Sequence, residues 1–390
     1  MVLRPLTLVG IIISIVTGLS LGVAAYLSTR DHTPADPSST LSEALRQVSE
    51  SYVTEVSEEE LLQYAIDGMM NGLDEHSDYL DPNSFEHLQT STTGQFGGIG
   101  IELGLVEGYF TVIAPMDDTP AAHAGLAAGD RITAVDGDSV KGLKMKNLVK
   151  LLRGEPGSEV SLTISRDGDD SFDVEVTRAI VTVASVKHRF LEPGYGYLRI
   201  SQFQTSTSKD VIKALDTLAE EDDLQGLVLD LRNNPGGTLQ SSVEVADQFL
   251  HEGLIVYTEG RLKSSHAKYR ATRGDRIEGK PIVVLINGGS ASASEIVAAA
   301  LKDHGRATIL GTQSYGKGSV QSVLPLDDDQ ALKLTTAFYY TPLGHSIHEK
   351  GIEPDIELRL DEELLLDEAV QHLKNQVQSQ QHVYLSSDPE

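Results

Sequence analysis

Three serines at alternate positions, Ser290, Ser292 and Ser294, lie in the stretch GGSASASE that opens on Gly288, and Lys317 follows between Gly316 and Gly318. A hydroxyl and an amine can form a nucleophile without histidine. A lysine held neutral takes the serine proton, and the serine oxygen attacks an acyl carbon. The demand on the lysine is severe: its ordinary pKa near ~10.4 must fall by roughly two to three units through desolvation, a differential of about 3 to 4 kcal/mol. Gln321 suits that demand, because a neutral amide holds an amine without restoring its charge. A carboxylate there would pin Lys317 as a cation.

The elements that position these groups can be read around them. Residues 281–287, PIVVLIN, form an apolar β-branched run expected to be a buried strand. Gly288 and Gly289 permit a sharp turn, and from about Ser292 the residues Ile296, Val297, Ala300 and Leu301 recur at helical spacing as far as a stop at Gly305. The serines therefore sit where a strand hands over to a helix N-terminus, whose unpaired amides and macrodipole favour negative charge on a carbonyl oxygen. Serines there are usually helix caps, and spacing alone does not choose among the three. Residues 307–310 read as another strand, and Lys317 lies in a turn before a further strand through Val320 and Val323. Upstream, residues 225–231 (QGLVLDL) read as a strand that runs into the turn RNNPGG; alone, that turn is an ordinary surface loop.

Together these segments resemble the active-site signature of the C-terminal processing peptidases, the tail-specific serine proteases of bacterial envelopes and chloroplast lumens. The resemblance implies that Ser292 is the nucleophile, Lys317 the general base and Gln321 the residue orienting the lysine. It further implies that backbone amides of Gly236 and Ala293 form the oxyanion hole, with Gly237 the near competitor. The match continues through residues 334–340 (LTTAFYY), Thr341, Pro342 and residues 350–356 (KGIEPDI). The family's usual G-R-S-I-Q is here Gly344, His345, Ser346, Ile347 and His348, which removes the cation expected at the arginine position.

A separate block from Phe96 resembles a PDZ domain. It reads FGGIGIELGLVEGYFTVIAPM and then PAAHAGLAAGDRITAVDGDSV, with Asp136 and Gly137 a strong hairpin signal. Its G-x-G lacks the following helix that a dinucleotide site requires. By resemblance, Gly98, Ile99, Gly100 and Ile101 form a loop that captures a chain's terminal carboxylate while the tail adds as a strand to the sheet edge. Arg153 reads equally as a coupler of tail binding to the active site or as a surface arginine.

The chain has 390 residues, 40% hydrophobic and 23% charged, which suits a globular protein of two or three domains. A net charge of -27 argues against nucleic acid as a partner, and the absence of cysteine excludes disulfides and thiolate-bound metal. No cofactor is called for, and no H-E-x-x-H zinc motif occurs. After Arg4 an uncharged apolar stretch runs to Thr29, so residues 1–30 are expected to be a signal anchor in preference to a cleaved signal peptide, with the remainder on the periplasmic side of the inner membrane. The expected fold is multidomain α/β. It comprises a linker (31–40), an N-terminal helical region (41–95), a PDZ domain of β-rich α+β type (96–182), an α/β Ser-Lys protease core (183–360) and a C-terminal helix with a polar tail (361–390). The expected partners are protein or peptide substrates held by their C-terminal tails, the membrane through the N-terminal segment, a second copy in a homodimer, and an adaptor protein.

Two other functions compete at this stage. One is a tail-binding scaffold that cuts nothing. The other is a serine hydrolase whose base is one of the 12 histidines, His304, His345 and His348 being nearest in sequence.

Overall fold

The computed structural model describes residues 36–166, 171–272, 274–326 and 329–386. The expected signal anchor and the last residues of the polar tail lie outside them. Among the described residues, no helix is long and apolar enough to cross a membrane. The chain divides into two compact units, one ending at Glu75 and the other beginning at His76.

The first unit contributes helices α1 (Pro37–Ser51) and α2 (Glu58–Asn71). The polar linker expected over 31–40 gives way to helix at Pro37, because Asp36 accepts a hydrogen bond from the Ser38 amide and proline at the first helical position has no N–H to leave unpaired. Ser57 and Glu60 form a capping box that starts α2.

The second unit opens with β1 (Asp78–Leu80), α3 (Pro82–Thr93) and β2 (Gln95–Gly98). The PDZ-like block follows as β3 (Ile101–Val106), β4 (Tyr109–Pro115), α4 (Pro120–His123), β5 (Arg131–Val135), β6 (Asp138–Ser139), α5 (Met145–Leu152), β7 (Glu159–Ser165) and β8 (Phe172–Thr177). Its sheet runs β3-β4-β5-β7-β8, so β3 has a free edge. The expected hairpin is present, with Asp136 and Gly137 both at positive φ, 51° and 83°, as a type I′ turn requires. Strand β9 (Ala179–Thr182) pairs antiparallel with β2, Gln95 opposite Thr182, so the block enters and leaves the rest of the unit through one two-stranded ribbon.

The remaining elements are β10 (Val186–Glu192), β11 (Tyr195–Ile200), α6 (Thr207–Glu221), β12 (Gly226–Asp230), α7 (Leu239–Ala246), β13 (Leu254–Glu259), β14 (Ala267–Arg270), β15 (Ile282–Ile286), α8 (Ala293–Asp303), β16 (Thr308–Gly311), β17 (Ser319–Pro325), β18 (Ala331–Tyr340), β19 (Ile356–Glu357) and α9 (Glu362–Ser386). One sheet, β10-β11-β12-β15-β16-β19, is parallel from β11 onward. Its central strands β12 and β15 are buried along their whole length and read as apolar runs because both faces are covered. Leu227, Leu229, Ile282, Val284 and Ile286 pack with residues of α6, α7 and α8, whereas Val228, Val283 and Leu285 pack with Leu366, Ala369, Val370 and Leu373 of α9.

A second sheet is built on β18, which pairs with β17, β13 and β1. The N-terminal region expected to be helical over 41–95 is thus interrupted by a strand, Asp78 pairing with Lys333 and Leu80 with Ala331. The cause is local. Asp81 caps α3 by accepting the Ser84 N–H at 2.6 Å, which holds the chain extended just before Pro82.

Candidate active site

Strands β12 and β15 are parallel neighbours, so the loops at their carboxyl ends meet. The backbone N–H of Asn233 donates to Asn287 Oδ1 at 2.9 Å, and Asn287 Nδ2 returns a bond to Asn233 Oδ1 at 3.0 Å. Two of the three serines lock this junction. Ser290 Oγ donates to the Leu231 carbonyl at 2.8 Å and Ser294 Oγ to the Asn234 carbonyl at 2.9 Å, and both residues are fully buried. Ser292 instead borders an open cavity of about 490 Å³ together with Ala293, Gly237, Lys317, Gln321 and Tyr339.

Ser292 is the residue before α8 and has φ 55° and ψ -112°. A side-chain-bearing residue in such a region costs about 1 to 3 kcal/mol and persists only when its surroundings hold it. Glu295 supplies much of that hold. Buried at 1% exposure, its Oε2 accepts the N–H of Ser292 at 2.7 Å and of Lys317 at 2.9 Å, while its Oε1 accepts Ser314 Oγ at 2.6 Å and the Gly316 N–H at 2.7 Å. One carboxylate therefore ties the backbone of the serine to the turn that carries the lysine. Burial pushes its pKa above the ordinary value despite these four hydrogen bonds. The sequence reading gave Glu295 no such role, although the spacing Ser292-x-x-Glu295 is that of a capping box and could have revealed it.

The two glycines offered as backbone donors sit differently. The N–H of Gly236, the expected donor, is engaged by Asn234 Oδ1 at 2.9 Å. Gly237 borders the cavity in its place. The Gly236 carbonyl accepts from Phe203 N and the Thr238 N–H donates to Phe203 O, so the intervening Gly237 N–H points away from Phe203. Ala293 has the first amide of α8, which lacks an intrahelical acceptor. Gly236 is required for closeness instead: a Cβ there would lie 2.8 Å from both Ser292 Cβ and the Ala291 carbonyl oxygen. The Gln321 amide donates to Ser319 Oγ at 3.1 Å and to Thr335 Oγ1 at 3.2 Å.

The Peptidase family S41 profile matches residues 194–358, and a PDZ domain profile matches residues 111–166. A carboxy-terminal-processing protease of Bartonella bacilliformis is 48% identical over 314 residues, covering 80% of this chain and 72% of that protein. This chain belongs to peptidase family S41, the carboxy-terminal processing proteases. A second relative, carboxy-terminal processing protease CtpB of Bacillus subtilis, is 36% identical over 82% of this chain and 67% of its own length. Among solved structures, a photosystem II D1 C-terminal processing protease is similar at 31% identity with a TM-score of 0.48, over 82% of this chain and 92% of that one.

The chain is thus a serine-type endopeptidase of the S41 family with a PDZ domain. In this S41 peptidase, the loop beside the serine is anchored by Asp230 at the end of β12. Arg232 Nε and Nη2 grip its two oxygens at 2.9 and 2.6 Å, and the Tyr197 hydroxyl adds a third bond at 2.8 Å. Burial raises the Asp230 carboxyl, and the Arg232 bonds and charge outweigh it, leaving the group below the usual carboxylate range. Burial, then the Asp230 charge, push the Tyr197 phenol up to about 12.

In the PDZ domain, Gly98 ends β2 and Ile101 begins β3, the edge strand. Between them Gly100 has φ 77°, and a Cβ there would meet Thr119 Cβ at 2.4 Å. The carbonyls of Ile99 and Gly100 accept from Ala121 N and Met116 N. Arg153 is half-buried with its guanidinium 4.7 Å from the Phe96 ring centre, a packed position next to the ribbon. A second cavity, about 630 Å³, runs beside the ribbon and shares Leu88, Thr92 and Val323 with the serine cavity. None of His304, His345 and His348 lines the serine cavity, and His304 Nε2 is bonded to the Leu254 carbonyl at 2.7 Å.

Proposed function

We propose that this S41 peptidase cuts with a Ser-Lys centre in which Ser292 is the nucleophile, Lys317 the general base, Gln321 the residue that holds the amine, and the amides of Ala293 and Gly237 the oxyanion hole. One observation carries the reading. Of three serines in the motif, two have hydroxyls committed to carbonyls of the neighbouring loop, and Ser292 shares a cavity with Lys317.

Ser292 Oγ attacks the scissile carbonyl as its proton passes to the Lys317 amine. The developing oxyanion is met by amides already fixed in place, and Lys317 then protonates the leaving amine. Water hydrolyses the acyl-enzyme by the reverse use of the same groups. Turnover rises with pH as the amine loses its proton. Substrate tails are held through Gly98, Ile99, Gly100 and Ile101, with the strand added at the free edge of β3, so cleavage falls near protein C-termini.

The experiment is digestion of an unfolded protein with an apolar C-terminus by the wild-type, Ser292→Ala and Lys317→Ala proteins. Both variants are expected to be inactive, and full cleavage by either overturns the assignment. Failure of the wild type to cut a labelled tail that it binds favours the scaffold reading. The uncharged stretch of residues 5–29 supports a place on the periplasmic side of the inner membrane, working on envelope proteins. Recovery of the full chain in the cytosolic fraction would refute that placement. A homodimer and an adaptor complete the proposal, and light scattering with and without a cell-envelope extract tests both.

A further inference from the structure

Tyr339, on β18, has an aromatic ring that is 2% exposed and a hydroxyl that is buried without any hydrogen-bond partner. A buried phenol is normally paired, because leaving its O–H unsatisfied opposes folding. The position makes the exception informative. Tyr339 lines the cavity that holds Ser292 and Lys317, and its backbone N–H donates to the Gly318 carbonyl at 2.9 Å, directly after the lysine. The residue is therefore fixed to the lysine's turn by its main chain while its side chain borders the serine.

We propose that the Tyr339 hydroxyl is a further catalytic group, which donates a hydrogen bond to Ser292 Oγ when negative charge develops there. The inference rests on the Ser-Lys reading above. In the resting enzyme the two hydroxyls are neighbours, close enough to interact but without a hydrogen bond of good geometry. As the Ser292 proton moves to Lys317, Oγ becomes a strong acceptor, and a contact that is weak in the ground state tightens in the transition state. Only such differential interactions accelerate a chemical step. Tyr339 keeps its own proton throughout. Burial, reinforced by the charge of Glu295, holds the phenol well above its ordinary pKa, so it acts as a donor and never as a base. With one phenolic donor taking a lone pair, the serine's own hydrogen is directed toward the amine.

Tyr339→Phe keeps the ring and removes only the unpaired oxygen, so its melting temperature is expected to equal or exceed that of the wild type. Its kcat is expected to fall by roughly 10- to 100-fold with KM within about twofold, the value of one hydrogen bond made to a charged acceptor. A fluorophosphonate probe, which reads serine nucleophilicity without a peptide, should label Ser292 more slowly by a similar factor. Wild-type rates of labelling and turnover would overturn the proposal, as would a loss confined to KM or one that tracks a fall in melting temperature. Ser292→Ala, run in parallel, separates the two claims. If it stays active, the Ser-Lys reading fails; if it is dead while Tyr339→Phe behaves as wild type, only the role of Tyr339 fails.

Discussion

Replacing Glu295 by glutamine tests how the two halves of the centre are held in register. The carboxylate divides its work by oxygen: Oε2 serves the amides of Ser292 and Lys317, and Oε1 serves Ser314 Oγ and the Gly316 amide. Glutamine offers one acceptor oxygen and one donor nitrogen. With its NH₂ toward Ser292 and Lys317 two backbone N–H donors face a donor; turned the other way, the Gly316 N–H does, while the Ser314 hydroxyl can accept. One or two bonds to a charged acceptor, about 1.5 to 3 kcal/mol each, are lost, and relief from burying a charge offsets part of that. A net deficit of about 2 to 4 kcal/mol, expressed as misplacement of Ser292 or Lys317, lowers kcat/KM by roughly 30- to 1,000-fold. Peptide hydrolysis and melting curves measure it. The pH dependence adds a second readout. Because the folded carboxyl lies above its ordinary pKa, its contribution is fully present below about 4.3 and is lost as pH rises through the folded value. The wild-type advantage in melting temperature over Glu295→Gln should therefore shrink with rising pH. Activity within threefold of wild type and parallel stability curves would refute the reasoning.

Three further outcomes are expected. Gly236→Ala places a methyl group 2.8 Å from Ser292 Cβ at φ 104°, so turnover should be abolished even in protein that remains folded by circular dichroism. Asp230→Asn removes the buried counter-charge of Arg232 and leaves it only the exposed Glu362 carboxylate at 3.5 Å, and should cost about 3 kcal/mol at neutral pH by denaturant titration. Since Asp230 is held below its ordinary pKa, the wild type's advantage is present above about pH 3.9 and lost as pH falls through the folded value. Gly100→Ala, with φ 77° and Thr119 in the way, should weaken binding of a labelled C-terminal peptide by about 10-fold or more, or 1.4 kcal/mol, in fluorescence anisotropy. It should leave hydrolysis of a short tail-free peptide unchanged.

The elements around the centre were legible in the sequence because they obey local rules. Residues 281–287 announced β15 through a β-branched apolar run, and Ile296, Val297, Ala300 and Leu301 announced α8 through their period. Asp136 and Gly137 signalled their hairpin, and both take the positive φ it needs. What escaped was decided across the chain. No spacing rule distinguishes Ser292 from Ser290 and Ser294; the difference lies in carbonyls of Leu231 and Asn234, contributed by a loop distant in sequence. The choice between Gly236 and Gly237 turns on the Asn234 side chain, and β1 joins the local stop at Asp81 to an edge that β18 presents from far along the chain. Tyr339 carried no signal at all, since a tyrosine in a strand is ordinary and its missing partner is visible only in three dimensions.

Ser292 follows a strand of the parallel sheet, whereas Lys317 leads into β17 of the sheet built on β18. Hydroxyl and amine come from separate layers, and neither layer is armed by itself. With the Ser-Lys centre proposed above, a nascent or half-denatured copy of the chain carries no cutting centre, and proteolytic competence arrives only with the finished tertiary structure. For a protease, that arrangement spares its own immature siblings from attack by one another.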